Sequence, residues 1–297
     1  LLTSTAIRGT CTPMASSDRQ LTTRNHDRDL AGLTYIYPVL SRRAGGVSVG
    51  INLNPNNACN WHCAYCQVPD LVRGSAPRID LAQLEAELAG FLDALVHGDY
   101  LERHVPEGLR QVRDIAFSGN GEPTSAAEFA DAVEIAVRLR AQFGFGEEVP
   151  LRLITNGSLM GQAAVREGVR RLGDAGGEVW FKVDAGTRAA MRRINGVGPD
   201  PDAVVRRLQA SAERCTTWVQ TCMFRWDGQA PSDADIAAYL AVLEKAGVER
   251  LAGVLLYGIA RPSMQPEAPR LSPLGEAELE AIGERIRTMG LTVRVSP

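Results

Sequence analysis

Lysine is nearly missing from this 297-residue chain: of its 32 basic residues only Lys182 and Lys245 are lysines, so each can be tested singly. There is no run of about 18 apolar residues, which excludes an expected membrane-spanning helix. Charge of one sign is not in excess either. The formal net charge is −3, which gives no bulk attraction to nucleic acid or an anionic membrane, although a local basic patch stays open. Six cysteines are too sparse at this length for a disulfide framework. No repeat, low-complexity tract or Ser/Gly-rich linker divides the chain. What is there is ordinary globular material, 45% apolar and 23% charged, which excludes a wholly disordered or fibrous chain. The length suffices for one large core. Residues 1–30 are polar without apolar periodicity and read as a disordered tail, leaving 31–297 as a single core domain. No basic-then-apolar leader is seen, so a cytoplasmic location is expected.

From residue 46 onward, short apolar runs alternate with amphipathic stretches. Strands are expected at Gly46–Pro55, Asp114–Ser118, Leu151–Thr155, Val179–Asp184, Thr216–Phe224 and Leu251–Tyr257, with a terminal one at Leu291–Val295. Between them, helix starts are marked by an Asp80/Gln83 capping-box pattern, by Ser125 and Glu128, by Asp200-Pro201, by Ser232 and by Ser272-Pro273. Strands alternating with helices imply a parallel sheet with right-handed crossovers. Six or seven units suit a complete or partial barrel, with a flat doubly wound sheet as the competing arrangement. Either way, ligands gather at the carboxyl ends of the strands. Those ends here are polar or glycine-rich: Asn54–Cys66, Gly119–Thr124, Asn156-Gly157, Asp184, Arg225–Gly228 and Gly258–Ser263.

Half of the cysteines fall in one short loop after the first expected strand: Cys59, Cys63 and Cys66, spaced Cys-x3-Cys-x2-Cys. Structural zinc sites draw four ligands from two separated pairs. Three thiolates on one compact loop instead fit a [4Fe–4S] cube with one iron left without a protein ligand. The rival is zinc completed by His62 or a distant cysteine, but His62 adjoins Cys63, and two neighbours have difficulty pointing at one metal.

The Cys59–Cys66 segment, with Tyr65 just before its last cysteine, resembles the signature of radical S-adenosylmethionine (radical SAM) enzymes. Ser118-Gly119-Asn120-Gly121-Glu122-Pro123 resembles that superfamily's Gly-Gly-Glu motif, with an asparagine between the glycines, and Thr155-Asn156-Gly157 resembles a recurrent segment after the third strand. The likeness covers about residues 46–265 and is nearest to wyosine-base-like Fe–S oxidoreductases, through Ser41-Arg42-Arg43, Gly50-Ile51-Asn52, Lys182-Val183-Asp184-Ala185 with Arg193-Ile194-Asn195, and Tyr257–Pro262. It implies a partial (β/α)6 TIM-like barrel and two cofactors, a [4Fe–4S] cluster on Cys59, Cys63 and Cys66 and SAM bound to its open iron. It implies reductive SAM cleavage to a 5′-deoxyadenosyl radical that abstracts hydrogen from a substrate, with electrons from a donor such as flavodoxin or ferredoxin.

Under that resemblance Tyr65, Gly119, Asn120, Gly121, Glu122, Thr155 and Asn156 are cofactor-binding candidates. A turn after a strand is the plainer reading of both loops. Lys182 and Asp184 share one strand face and are the catalytic candidates: an ion pair, an acid/base pair or a substrate or SAM anchor. Arg42 and Arg43 would bind a phosphate or carboxylate, or simply face solvent. Arg225, Trp226, Asp227 and Arg261 are candidates for the substrate's surroundings. The substrate itself is open between a small metabolite, an RNA base and a glycyl-radical protein. Outside enzymes altogether, a non-catalytic Fe–S or zinc binding module is the remaining reading.

Overall fold

Alternation within each strand, rather than the strand alone, explains how this sheet is built. In the Glu178–Lys182 strand Val179 and Phe181 are fully buried on one side, while Trp180 and Lys182 face a cavity on the other. A strand with one face under helices and one toward an interior cavity is the local signature of a barrel wall. The architecture comes from a computed structural model that describes residues 20–22, 32–41 and 45–297. Arg42, Arg43 and most of the expected tail lie outside the described residues.

The chain opens with an antiparallel hairpin, β1 (Ile36–Ser41) and β2 (Gly46–Ile51). Two-residue strands β3 (Ala58–Cys59) and β4 (Val72–Arg73) pair with each other and bracket the cysteine loop. Helices α1 (Leu81–Val96) and α2 (Tyr100–His104) lead to β5 (Val112–Phe117). Then α3 (Phe129–Gln142) leads to β6 (Leu151–Thr155), and α4 (Ala163–Asp174) to β7 (Glu178–Lys182). Next, α5 (Arg188–Asn195) and α6 (Pro201–Ala212) precede β8 (Thr216–Cys222). The short β9 (Phe224–Trp226) and α7 (Asp233–Ala246) precede β10 (Gly253–Tyr257). Last come β11 (Leu271–Pro273), α8 (Glu276–Arg287) and β12 (Val293–Ser296).

The main sheet runs β1-β2-β5-β6-β7-β8-β10-β12. Every pairing after the first hairpin is parallel. Its two edges, β1 and β12, do not pair, so the wall curls round a cavity without closing: a partial (β/α)6 TIM-like barrel, with β2, β5, β6, β7, β8 and β10 as its six strands. Residues from both edges, Tyr37 and Ser296 among them, line the same cavity.

Local signals explain most helix positions. Asp80 caps α1, its carboxylate accepting from the Ala82 and Gln83 amides at 3.1 and 3.0 Å. Leu84, Leu88, Phe91, Leu92 and Leu95 then face the core at helical spacing. Ser232 and Asp235 form a reciprocal capping box on α7. One hydrophobic core runs from Leu21 to Leu291.

Several expectations need correction. Gln83 does not close a box on α1, because its amide turns to Thr34 and Glu87. Ser125 sits in a short 3-10 turn, and Glu128 caps α3 without a side-chain bond. Ser272-Pro273 is strand β11, with α8 starting after Gly275. The β1 strand, α2 and α5 carry no clear periodic signal in the sequence; α5 buries only Ala190, Met191 and Asn195. Within the expected tail, residues 20–22 pack against the domain: Leu21 is buried and its amide donates to the His104 carbonyl at 2.7 Å.

Candidate active site

The cavity inside the half-barrel measures about 590 Å3, within the range of sites that take one or two small ligands. Cys59, Cys63 and Cys66 all lie on its wall, half-buried. Their loop is fastened on two sides. The His62 and Ala64 amides donate to the Asn195 and Ile194 carbonyls at the end of α5 (3.0 and 2.8 Å). From the loop after β10, Ser263 Oγ donates to the Ala64 carbonyl (2.6 Å) and Gln265 Nε2 to the Val68 carbonyl (2.8 Å). Arg261 Nη1 reaches Gln67 Oε1 at 3.1 Å. Gly196, left-handed at φ 68°, lets α5 end against this loop, since a Cβ there would stand 2.9 Å from the His62 carbonyl.

Burial pushes the Cys59 thiol up to about 11 and the Cys63 thiol up to about 12. Alone they would stay protonated at neutral pH; a bound metal's charge would be needed to hold them as thiolates. Two donors already point at these sulfurs, the Trp61 amide at Cys59 Sγ and Asn195 Nδ2 at Cys63 Sγ, each at 3.4 Å. The set does not close round one point: among the described residues no group of three or more His, Cys, Asp or Glu is placed to hold a metal ion.

Against the start of the cysteine loop packs the glycine loop after β5, Asn120 Nδ2 donating to Asn57 Oδ1 at 2.6 Å. Gly119, Asn120, Gly121 and Glu122 all line the cavity. Protein packing already demands both glycines. A Cβ on Gly119 would be 2.3 Å from Asn52 Oδ1, and one on Gly121 would be 2.0 Å from the Ala58 carbonyl. The buried Glu122 carboxylate staples this loop to the next. Its Oε1 accepts from Thr124 N (3.1 Å), Thr124 Oγ1 (2.6 Å) and Thr155 Oγ1 (2.6 Å), and its Oε2 accepts from Asn156 N (2.7 Å). Burial nonetheless pushes its pKa up, against those four bonds. Asn156 lines the cavity and donates to Asn60 Oδ1 beside Cys59. Thr155 is instead buried behind Glu122 and does not reach the cavity.

Lys182 and Asp184 do not form the direct ion pair that their spacing suggested. Asp184 follows the end of β7, is buried, and accepts from Tyr65 OH (2.5 Å), Asn195 Nδ2 (2.7 Å) and the Cys222 amide (2.9 Å). Lys182 instead points along the cavity wall, 3.4 Å from Tyr257 OH and 4.7 Å from the centre of the Tyr65 ring. Burial works against its charge, but the fields of Tyr257 and Asp184 outweigh it and hold the ammonium above its ordinary pKa. Tyr65, buried and beside Asp184, is pushed well above a free phenol. Arg225 and Asp227 lie off the main cavity, paired with Glu278 and Arg270, while Trp226 lines a second cavity of about 260 Å3. Asn195 and Gln220 carried no role from their sequence context. Gln220 stands on the same face of β8 as Cys222, toward the cavity.

A strand-end cavity lined by a three-thiol loop and by a glycine loop packed against it is the arrangement of a SAM-dependent iron–sulfur barrel. The profile of the radical SAM superfamily matches residues 53–240, and the chain belongs to that superfamily, whose members are enzymes that bind a [4Fe–4S] cluster and SAM. It is 28% identical over 171 residues to the UPF0026 protein MJ1312 of Methanocaldococcus jannaschii, covering 58% of this chain and 46% of that protein. The chain thus spans about half the length of that curated relative. Among solved structures, a radical SAM methyltransferase from Sphaerobacter thermophilus aligns with TM-score 0.60 at 14% identity, over 88% of this chain and 68% of that one. TYW1 with a lysine-pyruvate adduct bound aligns at 0.55 and 16%, over 81% and 73%. Streptococcus suis SuiB bound to S-adenosylmethionine aligns at 0.54 and 11%, over 86% and 52%. At these identities the likeness is one of fold. No helix among the described residues is long and apolar enough to cross a membrane.

Proposed function

We propose that Cys59, Cys63 and Cys66 hold a [4Fe–4S] cluster and that the cavity takes SAM and a substrate together. The observation that carries this is the convergence of three half-buried thiols on the wall of the same strand-end cavity that the Gly119–Glu122 loop lines. All three cysteines line the cavity and His62 does not, which favours a cluster on the three sulfurs over zinc completed by His62. When bound, that pair supplies one-electron cleavage of the SAM sulfonium and abstraction of a hydrogen atom from a substrate.

The chain's own residues bind, orient and shield. Gly119, Asn120 and Gly121 present a strand-end backbone to the methionine part of SAM, and Glu122 and Thr155 fix that backbone from behind. Asn156 clips the loop after β6 to the one carrying Cys59. Asp184 is a positioning residue: through Tyr65 and Asn195 it sets the wall beside Cys63. Tyr65, Trp61 and Val68 keep water from the sulfurs, which protects reactive intermediates from side reactions. A small one-electron donor such as a flavodoxin or ferredoxin would serve the exposed side of the cysteine loop.

The test is anaerobic reconstitution followed by SAM and dithionite. The wild type should hold about four iron and four sulfide per chain and release 5′-deoxyadenosine. Alanine at any of the three cysteines should abolish both. Zinc without sulfide in the wild type, or deoxyadenosine formation that survives the Cys63→Ala change, overturns the assignment.

A further inference from the structure

We infer that the outer face of the cysteine loop docks a small, acidic one-electron carrier protein, held by Val72, Met264, Arg73, Arg188, Arg192 and Arg193. This deepens the proposed function, which calls for one electron, and rests on it. Three large apolar side chains are exposed among the described residues, and two of them, Val72 at 53% and Met264 at 58%, flank this loop. Val72 pairs in β4 with Ala58, next to Cys59, and the Met264 amide donates to the Cys66 carbonyl at 2.9 Å.

Arginines gather beside the same loop. Arg73, the register partner of Cys59, donates to the Asn60 carbonyl (3.0 Å) and to the Gly196 carbonyl (3.2 Å). Two residues on, a Cβ at Gly198 would stand 3.0 Å from Arg188 Cγ and 3.2 Å from Arg192 Nη2, so α5 brings both to the turn that seats the loop. Arg193 lies over the Trp226 ring, 5.7 Å from its centre. Among the described residues none of these four arginines has a carboxylate within ion-pair distance. The arrangement costs α5 stability: Arg188 puts a cation at the helix N-terminus, and Arg188 and Arg192 are like charges four apart. An acidic partner would offset that cost. On a chain of net charge −3, a local patch of unpaired cations also sets the orientation in which an acidic protein is attracted.

None of the six residues lines the main cavity, although Cys66, Gln67 and Leu71 do. A substrate must enter that cavity, whereas an electron reaches the sulfurs through the loop. Exposed apolar side chains beside arginines fit a protein surface better than a phosphodiester strand, which is bound by charge. Contacts between redox proteins are also small, and this face is of that kind. One electron leaves the reduced carrier and enters the cluster, and no bond or proton moves.

The test measures binding of oxidised plant-type ferredoxin, an acidic carrier, to cluster-loaded protein, and the rate at which reduced ferredoxin reduces that protein. Changing Arg188→Glu and Arg192→Glu together should weaken binding and slow reduction by about tenfold. Rising salt should weaken wild-type binding steeply and that of the variant little. Val72→Ala with Met264→Ala should weaken binding and leave the salt dependence as it was. Iron content, and reduction by photoreduced 5-deazariboflavin, which is small and uncharged, should be the same in every variant. Circular dichroism reports folding, and Arg192→Gln, with a smaller loss in the same direction, carries the test if the double charge reversal does not fold. Ferredoxin binding and reduction that survive the charge reversal overturn the inference. So does transfer RNA that binds tighter than ferredoxin and is lost in the same variant, which would give the arginines to phosphates. Binding is read separately from iron content, so a wild type that docks ferredoxin in this pattern but holds no cluster refutes the proposed function and not the surface.

Discussion

Replacing Glu122 tests whether the glycine loop is held by the protein or only by its ligand. The buried carboxylate accepts four hydrogen bonds, from Thr124 N, Thr124 Oγ1, Thr155 Oγ1 and Asn156 N. Glu122→Gln keeps the shape and one carbonyl oxygen but turns an amide toward Asn156 N–H, a donor facing a donor. One lost bond with a buried donor left unsatisfied costs about 1–3 kcal/mol. Glu122→Ala removes all four acceptors. The two hydroxyls can rotate to other partners, but the Thr124 and Asn156 amides cannot, so the cost is about 3–5 kcal/mol. A chain of this size loses about 2 °C of Tm per kcal/mol. Calorimetry on metal-free, SAM-free protein should therefore show a fall of roughly 2–6 °C for Gln and roughly 6–10 °C for Ala. Thr155→Val, which removes one donor without changing shape, should couple to Glu122→Gln by about 0.5–3 kcal/mol in a double-mutant cycle. If Glu122→Ala melts with the wild type and loses only SAM affinity, the staple is wrong and the carboxylate serves the ligand alone.

Gly121→Ala should destabilise the chain and lower its iron content even without SAM, because the new Cβ would sit 2.0 Å from the backbone oxygen of Ala58, one residue before Cys59; unchanged melting would show that the two loops can separate freely. Asn195→Leu removes the donor from Cys63 Sγ, so the cluster should be harder to reduce. Its reduced-to-oxidised ratio at a fixed poise, read by electron paramagnetic resonance, should fall, and an unmoved ratio would deny that bond any influence. Arg152→Ala leaves Asp114 buried beside Ser48 without its cation, at a cost of about 3–5 kcal/mol by urea denaturation. Burial pushes the Asp114 carboxyl above its ordinary value despite Arg152 and Ser48. Between those two values the folded chain keeps a proton that the unfolded chain has lost, so this group's contribution to stability falls as pH rises through that window. The stability difference between wild type and Asp114→Asn should shift in the wild type's favour on acidification into it, and a pH-independent difference would refute the shift.

Much of this protein follows from local sequence alone. Strands β5, β6, β7 and β10 were legible from short apolar runs, and α1, α6 and α7 from Asp80, Asp200-Pro201 and Ser232, because caps and periodicity act within a few residues. The three cysteines were legible for the same reason: their spacing confines them to one loop whatever the fold. What local sequence could not set is which groups meet across the barrel. Asp184 was expected to face Lys182, two residues away on the same strand. It turns instead to Tyr65, 119 positions earlier in the chain, and to Asn195 on a short helix without an apolar stripe. Glu122 and Thr155 meet only because β5 and β6 lie side by side. Gln220 stands beside Lys182 only because β8 pairs with β7 in one register. Spacing along the chain thus decided where the sulfurs are, and strand order and register decided what surrounds them, since contacts between distant residues exist only once the sheet has formed.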